Sequence, residues 1–360
     1  MTRLKMEENE FNPGMLVVAR ESRGITQKEL ADKLGVNQGW LSRVESGMRE
    51  ISEDFLPDLS KELNYPVNFF FQQEKVFGFG ATELFNRKRQ SVSGKKLQKI
   101  HAQINIKRMQ IAKMISSIDI VDINIPIFNL SEFRGSVDEV AQATRAYWRL
   151  PPGPINNLMQ TIEDNGGIIV PFDFETPKID AISITVPNLP PLFFVNMDAP
   201  IDRLRFTLCH ELAHVIMHQR DIDPDMEAQA DRFASEFLLP SKEIRPFLRN
   251  LSLPKLGELK IYWKTSMQSI LKKATTLNTI TESQNRSLWI KLSANGFKTH
   301  EPFGDEIPKE TPTLYKEIIS VYRQDYGYTL AEFSNFINML ENETRELYYD
   351  SNIPRLSLVK

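Results

Sequence analysis

The chain has 360 residues, 41% hydrophobic and 25% charged, values ordinary for globular protein and long enough for two or three domains. A net charge of −3 does not advertise nucleic-acid binding, and the single cysteine, Cys209, excludes intramolecular disulfides and a cysteine-rich zinc finger. No apolar run approaches the ~20 residues that span a bilayer. The start, Met1-Thr-Arg-Leu-Lys-Met-Glu-Glu, has no apolar stretch behind its basic residues, so no secretory signal and no membrane partner are expected, and the cytoplasm is the expected location.

Residues 12–71 read as short helices with tight turns. Thr26 caps one of them, with Glu29 three residues on at capping-box spacing. Leu30, Ala31 and Leu34 make its apolar face, and Gly35 suits the left-handed conformation that ends it. Asn37 caps the next helix, whose Leu41 and Val44 face inward and which Gly47 ends. Two short helices joined by a Gly-containing turn predict a helix-turn-helix, whose second helix enters a DNA major groove by its N-terminal end.

Residues 72–93 read as a connector and 94–118 as one long helix. From Leu84 to Ile118 there is no acidic residue but there are nine basic ones: Arg87, Lys88, Arg89, Lys95, Lys96, Lys99, Lys107, Arg108 and Lys113. Such a stretch either attracts phosphate or forms a solvated helix balanced by acidic neighbours.

Ser136 and Glu139 open a further helix, which should end before Pro151-Pro152, and another is expected over 154–165, stopping at Gly166-Gly167. The period then changes: 167–172, 180–186 and 191–196 are strand-like runs separated by Pro, Asn and Asp. Helices resume near 201, and 255–350 read as mainly helical with a loop at 296–312. The fold class is therefore α+β and mostly helical: an N-terminal all-α domain, a domain with a small sheet, and a helical C-terminal region.

The helical segment at 201–217 carries His210-Glu211-Leu212-Ala213-His214. Histidines at i and i+4 lie about 40° apart around a helix, so both reach one metal ion. Glu211 beside them is placed to take a proton from the ion's water. Candidates for the third ligand are His218, Asp221, Asp223, Asp225 and Glu227. A metzincin pattern fails, because Met217 and Arg220 stand where its glycine and third histidine belong. Glu227 is the better candidate, since Ala230, Phe233, Ala234 and Phe237 form a stripe suited to packing on the first helix, with Glu227 and Asp231 at its edge. Asp231 then orients a ligand histidine through its free ring N–H. This is the gluzincin arrangement of three protein ligands plus water, with His218 the second choice for ligand. Cys209 reads as a packed core residue.

Residues 14–71 resemble the XRE family of phage-repressor-like DNA-binding domains. The resemblance implies a double-stranded DNA operator, with Gln27 on phosphate and Gln38, Gly39 and Arg43 at base-facing positions. Asn37, Trp40 and Arg49 complete the implied DNA-facing set, and Arg20 pairs with Glu45 structurally. Paired half-sites make a homodimer the expectation. Residues 136–300 resemble the ImmA/IrrE family of regulatory metallopeptidases, through Trp148-Arg-Leu-Pro-Pro-Gly-Pro-Ile, the strands, the Glu-x-x-Ala-Asp-x-Phe-Ala segment and a second helix-turn-helix-like region at Lys260-Ile-Tyr-Trp-Lys-Thr-Ser-Met-Gln-Ser. That resemblance implies Zn2+ and cleavage of a repressor protein.

The expected organisation is an XRE-type domain at 12–71, a basic connector with a long helix at 72–135, a zinc peptidase core at 136–250, a helix-turn-helix-like region at 251–300 and a helical region at 301–360. The expected function is a DNA-binding regulator with a zinc endopeptidase, cutting a repressor or itself within the linker 72–95. The alternative is a transcription factor whose zinc domain is catalytically idle and serves as a sensor or scaffold.

Overall fold

The computed structural model describes residues 10–77, 92–118, 120, 122–219 and 224–350. In chain order the α-helices are α1 Pro13–Ser22, α2 Gln27–Lys33, α3 Gln38–Glu45, α4 Leu56–Leu63, α5 Gly94–Ile115, α6 Val137–Tyr147, α7 Leu158–Asp164, α8 Ile201–Met217, α9 Met226–Leu238, α10 Ser241–Ile244, α11 Leu253–Trp263, α12 Met267–Thr276, α13 Glu282–Ala294, α14 Leu314–Ser320, α15 Leu330–Phe336 and α16 Glu341–Arg345. The strands are β1 Ile168–Pro171, β2 Ala181–Ile184 and β3 Leu192–Val195. Among the described residues no helix is long and apolar enough to cross a membrane.

The chain divides into two units. The first joins α1–α5 with α14–α16. Its caps form as the residues dictate: Glu29 N–H donates to Thr26 Oγ1 at 3.2 Å, Thr26 N–H donates to Glu29 Oε2 at 2.6 Å, and Asn37 Oδ1 accepts from Gly39 N–H at 2.7 Å. Gly35 takes φ +65°, the left-handed turn between α2 and α3. Met15, Leu16, Leu30, Leu41, Val44 and Leu59 make one core, which Ala102, Ile106 and Met109 of α5 complete. Glu343 of α16 pairs with Arg23 at 2.7 Å.

The second unit holds α6–α13 around a three-stranded sheet of order β1-β3-β2. β1 runs parallel to β3, with Ile168 opposite Leu192, and β2 runs antiparallel to it, with Ser183 opposite Phe193. Ser136 accepts from Glu139 N–H, so half of the expected capping box forms and α6 ends at Tyr147. α7 starts later than the expected 154, because Asn157 is its cap and accepts from Gln160 N–H at 3.0 Å. α8 lies against β2 and packs on α9 through buried Phe233, Ala234 and Phe237. Each fully buried phenylalanine contributes about 1.5–3 kcal/mol. Two buried ion pairs fix the first turns of α8: Lys260 with Asp202 at 2.6 Å, and Arg205 with Glu310. Glu310 also accepts from the Leu158 and Met159 N–H groups, tying α8 to the start of α7.

Candidate metal centre and candidate nucleic-acid interface

α8 carries His210 and His214 one turn apart, and α9 brings Glu227 across to them. His210 Nε2 and His214 Nε2 lie 3.1 Å apart. Each stands 3.4 Å from a carboxylate oxygen of Glu227. Ligand atoms of a tetrahedral zinc at ~2.05 Å are separated by ~3.3 Å, so the three side chains are spaced as that ion requires. Glu227 Oε1 is also a buried acceptor with no hydrogen-bond donor, which a cation would satisfy. Two imidazole nitrogens and one carboxylate are a zinc donor set. The residues fit the ion.

Burial works against a charged His210, but hydrogen bonds to Asp231 and Glu227 outweigh it and raise the imidazole to about 9. Burial likewise opposes a charged Glu227, but the imidazoles of His210 and His214 close beside it hold it well below the usual carboxylate range. Asp231 Oδ1 lies 2.9 Å from His210 Nδ1, on the side away from the cluster. His218 does not join the three: its Nδ1 is 2.9 Å from His214 Nδ1 and its Nε2 is 2.9 Å from Gln229 Oε1. Asp221 and Asp223 lie outside the described residues. Cys209 is fully buried in the core, and burial pushes its thiol far up, leaving it inert.

Glu211 is 2% exposed. Its Oε2 accepts from the Ser183 backbone N–H at 2.8 Å and from the Ser183 hydroxyl at 2.7 Å. Sequence reasoning missed Ser183. The available signal was a lone hydroxyl in the apolar run Ala181-Ile-Ser-Ile. In the β2–β3 register Asn196 N–H donates to Asp180 O, so Ser183, an odd step away, turns its backbone groups outward from the sheet.

In the first unit, α2 and α3 form the helix-turn-helix. Gln38, Gly39, Arg43 and Arg49 are exposed. Arg20 Nε donates to Glu45 Oε1 at 2.6 Å, locking α1 to α3. Gln27 Nε2 donates to Glu45 Oε2 at 3.0 Å, so this residue leans on the same pair. Asn37 is exposed, but its carboxamide oxygen is engaged in the cap. Trp40 packs on Phe55 with ring centroids 5.0 Å apart, and the Arg49 guanidinium stands 5.6 Å from its ring centre.

Where the basic stretch is described, Arg108 alone is buried, while Lys95 and Lys113 are exposed and Lys96, Lys99 and Lys107 half-buried. Arg108 is buried beside Glu74, Lys95 pairs with Glu29 at 3.2 Å, and Lys107 donates to the Tyr348 hydroxyl at 2.7 Å. Arg87, Lys88 and Arg89 lie outside the described residues, as does most of the proposed cleavage linker. In the second unit, α11 and α12, where a second helix-turn-helix-like pair is expected, are joined by a short turn at 264–266. Glu301 accepts from the Met267 and Gln268 N–H groups, filling the N-terminal end of α12 with an internal carboxylate. That end of a recognition helix is the one that meets DNA.

Comparison with known families agrees with both regions. Residues 163–275 match the IrrE N-terminal-like domain, Peptidase_M78. Residues 18–70 match a helix-turn-helix family model, HTH_3. No curated protein matches the chain.

Proposed function

From a chain that joins an XRE-type helix-turn-helix to an IrrE/ImmA-like domain of metallopeptidase type, we propose a DNA-bound regulator that uses zinc to cut a peptide bond, in a repressor-like protein or in itself. The observation that carries this reading is a buried carboxylate, Glu211, adjacent in sequence to two histidines whose Nε2 atoms converge with Glu227.

His210, His214 and Glu227 would hold the ion, and Asp231 would fix the His210 ring through Nδ1. Zinc bound there supplies Lewis acidity, polarising a peptide carbonyl and acidifying water. Glu211 takes a proton from the attacking water and passes it to the leaving amine. Ser183 holds the Glu211 carboxylate by two hydrogen bonds to Oε2, and the proton transfer falls to the other oxygen, Oε1. Substrate would lie extended along a strand edge within 180–196. In the first unit Gln38 and Arg43 read base edges, and the operator's paired half-sites bring two copies together.

A second reading draws on the burial of Glu211 and its two bonds to Ser183: a catalytically idle zinc domain that senses or scaffolds. The test is Glu211→Gln with zinc content and operator binding measured alongside regulation. Loss of regulation with both retained supports the peptidase; intact regulation supports the idle domain.

A further inference from the structure

The helix that carries the two ligand histidines carries a third, one turn on, whose role differs from theirs. His218 is buried at the C-terminal end of α8, 2.9 Å from His214 by Nδ1 and 2.9 Å from Gln229 Oε1 by Nε2. His214 turns its other nitrogen, Nε2, toward His210 and Glu227. A neutral imidazole that gives Nε2 to a cation has its only proton on Nδ1 and must donate from there. The contacts then have one consistent polarity. His214 Nδ1–H donates to the lone pair of His218 Nδ1, and His218 Nε2–H donates to Gln229 Oε1. The reverse polarity would put a proton on His214 Nε2, where the cation belongs.

A ligand histidine is ordinarily held by a carboxylate, a backbone carbonyl or water. His210 follows that pattern with Asp231. His214 has an imidazole in that place, anchored by an amide of α9, the helix that also supplies Glu227. The orientation of one ligand is thereby coupled to the docking of the helix that brings another.

We propose that His218 is a positioning residue, which with Gln229 fixes the tautomer and ring orientation of His214 for the metal. The proposal rests on the reading of His210, His214 and Glu227 as a zinc site.

The test is Zn2+ affinity of the full-length, metal-stripped protein by competition with a chromophoric chelator, with Co2+ as a spectroscopic probe. His218→Phe removes the acceptor and is expected to weaken Zn2+ binding about 10–100-fold. His218→Gln, whose amide oxygen still accepts from His214 Nδ1, is expected to recover most of that loss with the visible Co2+ spectrum of wild type. Gln229→Leu is expected to give a smaller loss of the same sign, and it decides the matter if His218→Phe does not fold. Wild-type affinity in His218→Phe, or in Gln229→Leu where it decides, overturns the proposal. So does a His218→Gln protein as weak as His218→Phe with an altered Co2+ spectrum, since that result makes His218 a ligand. A wild type that binds no Zn2+ overturns the underlying site reading, a result distinct from tight wild-type binding that the variants leave unchanged.

Discussion

Ser183 holds Glu211 by two hydrogen bonds to the same carboxylate oxygen, one from its backbone N–H and one from its hydroxyl. The pair joins the sheet to the helix that bears His210 and His214, and it holds the residue proposed as general base. Ser183→Ala keeps the backbone bond and loses the hydroxyl. A hydrogen bond to a charged group is worth ~1.5–3 kcal/mol, so turnover of a cleaved peptide should fall roughly tenfold or more, mainly in kcat, with zinc content unchanged. Ser183→Thr retains a hydroxyl and should recover most of the activity. Equal turnover of Ser183→Ala and wild type would show that the hydroxyl does not aim Glu211.

At the N-terminus of α2, Glu29 is held at a pKa of about 2 by the Thr26 backbone N–H, then the Thr26 hydroxyl and Lys95. A carboxyl depressed from 4.5 contributes stability that is complete above pH ~4.5 and is lost as pH falls toward 2. The cap should therefore weaken only across that acid window. Side-chain NMR titration of Glu29 checks this, and a midpoint near the ordinary glutamate value would contradict it.

Gly166 precedes β1 at φ +85°, and a Cβ there would stand 2.6 Å from Asp122 O and 2.7 Å from Ile123 Cα, both backbone. Gly166→Ala incurs a left-handed penalty of ~1–2 kcal/mol and a clash of ~1–3 kcal/mol. Urea unfolding should show the second unit destabilised by about 2–4 kcal/mol. A change below about 0.5 kcal/mol would contradict the tight approach.

On α3, Gln38 and Arg43 are exposed, so replacing either with alanine should leave thermal stability unchanged. Each should weaken binding to an operator fragment by about 1–3 kcal/mol and relax specificity at one base position. Unchanged affinity in both variants would remove α3 as the reading helix.

Legibility in the sequence followed the range of the interaction. Thr26, Glu29 and Asn37 act on groups two or three residues away, so local pattern was sufficient to read their caps. His210 and His214 were legible for the same reason, since helical spacing alone puts them on one face. The contact between Ser183 and Glu211 was not, because it depends on which strand of the sheet meets α8. Spacing also left His218 open as the second choice for ligand: i+4 fixes the face of a helix but not which ring nitrogen meets which neighbour. Glu310 is the extreme case, a carboxylate that caps α7 and pairs with Arg205 across more than a hundred residues. The packing of α14–α16 with α1–α5 in one unit likewise has no local signature.

The central claim is that Glu211 makes this regulator a peptidase. New protein N-termini should be compared in cells carrying wild type or Glu211→Gln, before and after stress or mobile-element induction. The account predicts a terminus that appears on induction with wild type and not with Glu211→Gln, in a repressor-like protein or in this chain's own linker. No Glu211-dependent terminus under any condition, with zinc shown to be bound, would contradict it and leave a transcription factor with an idle metal domain.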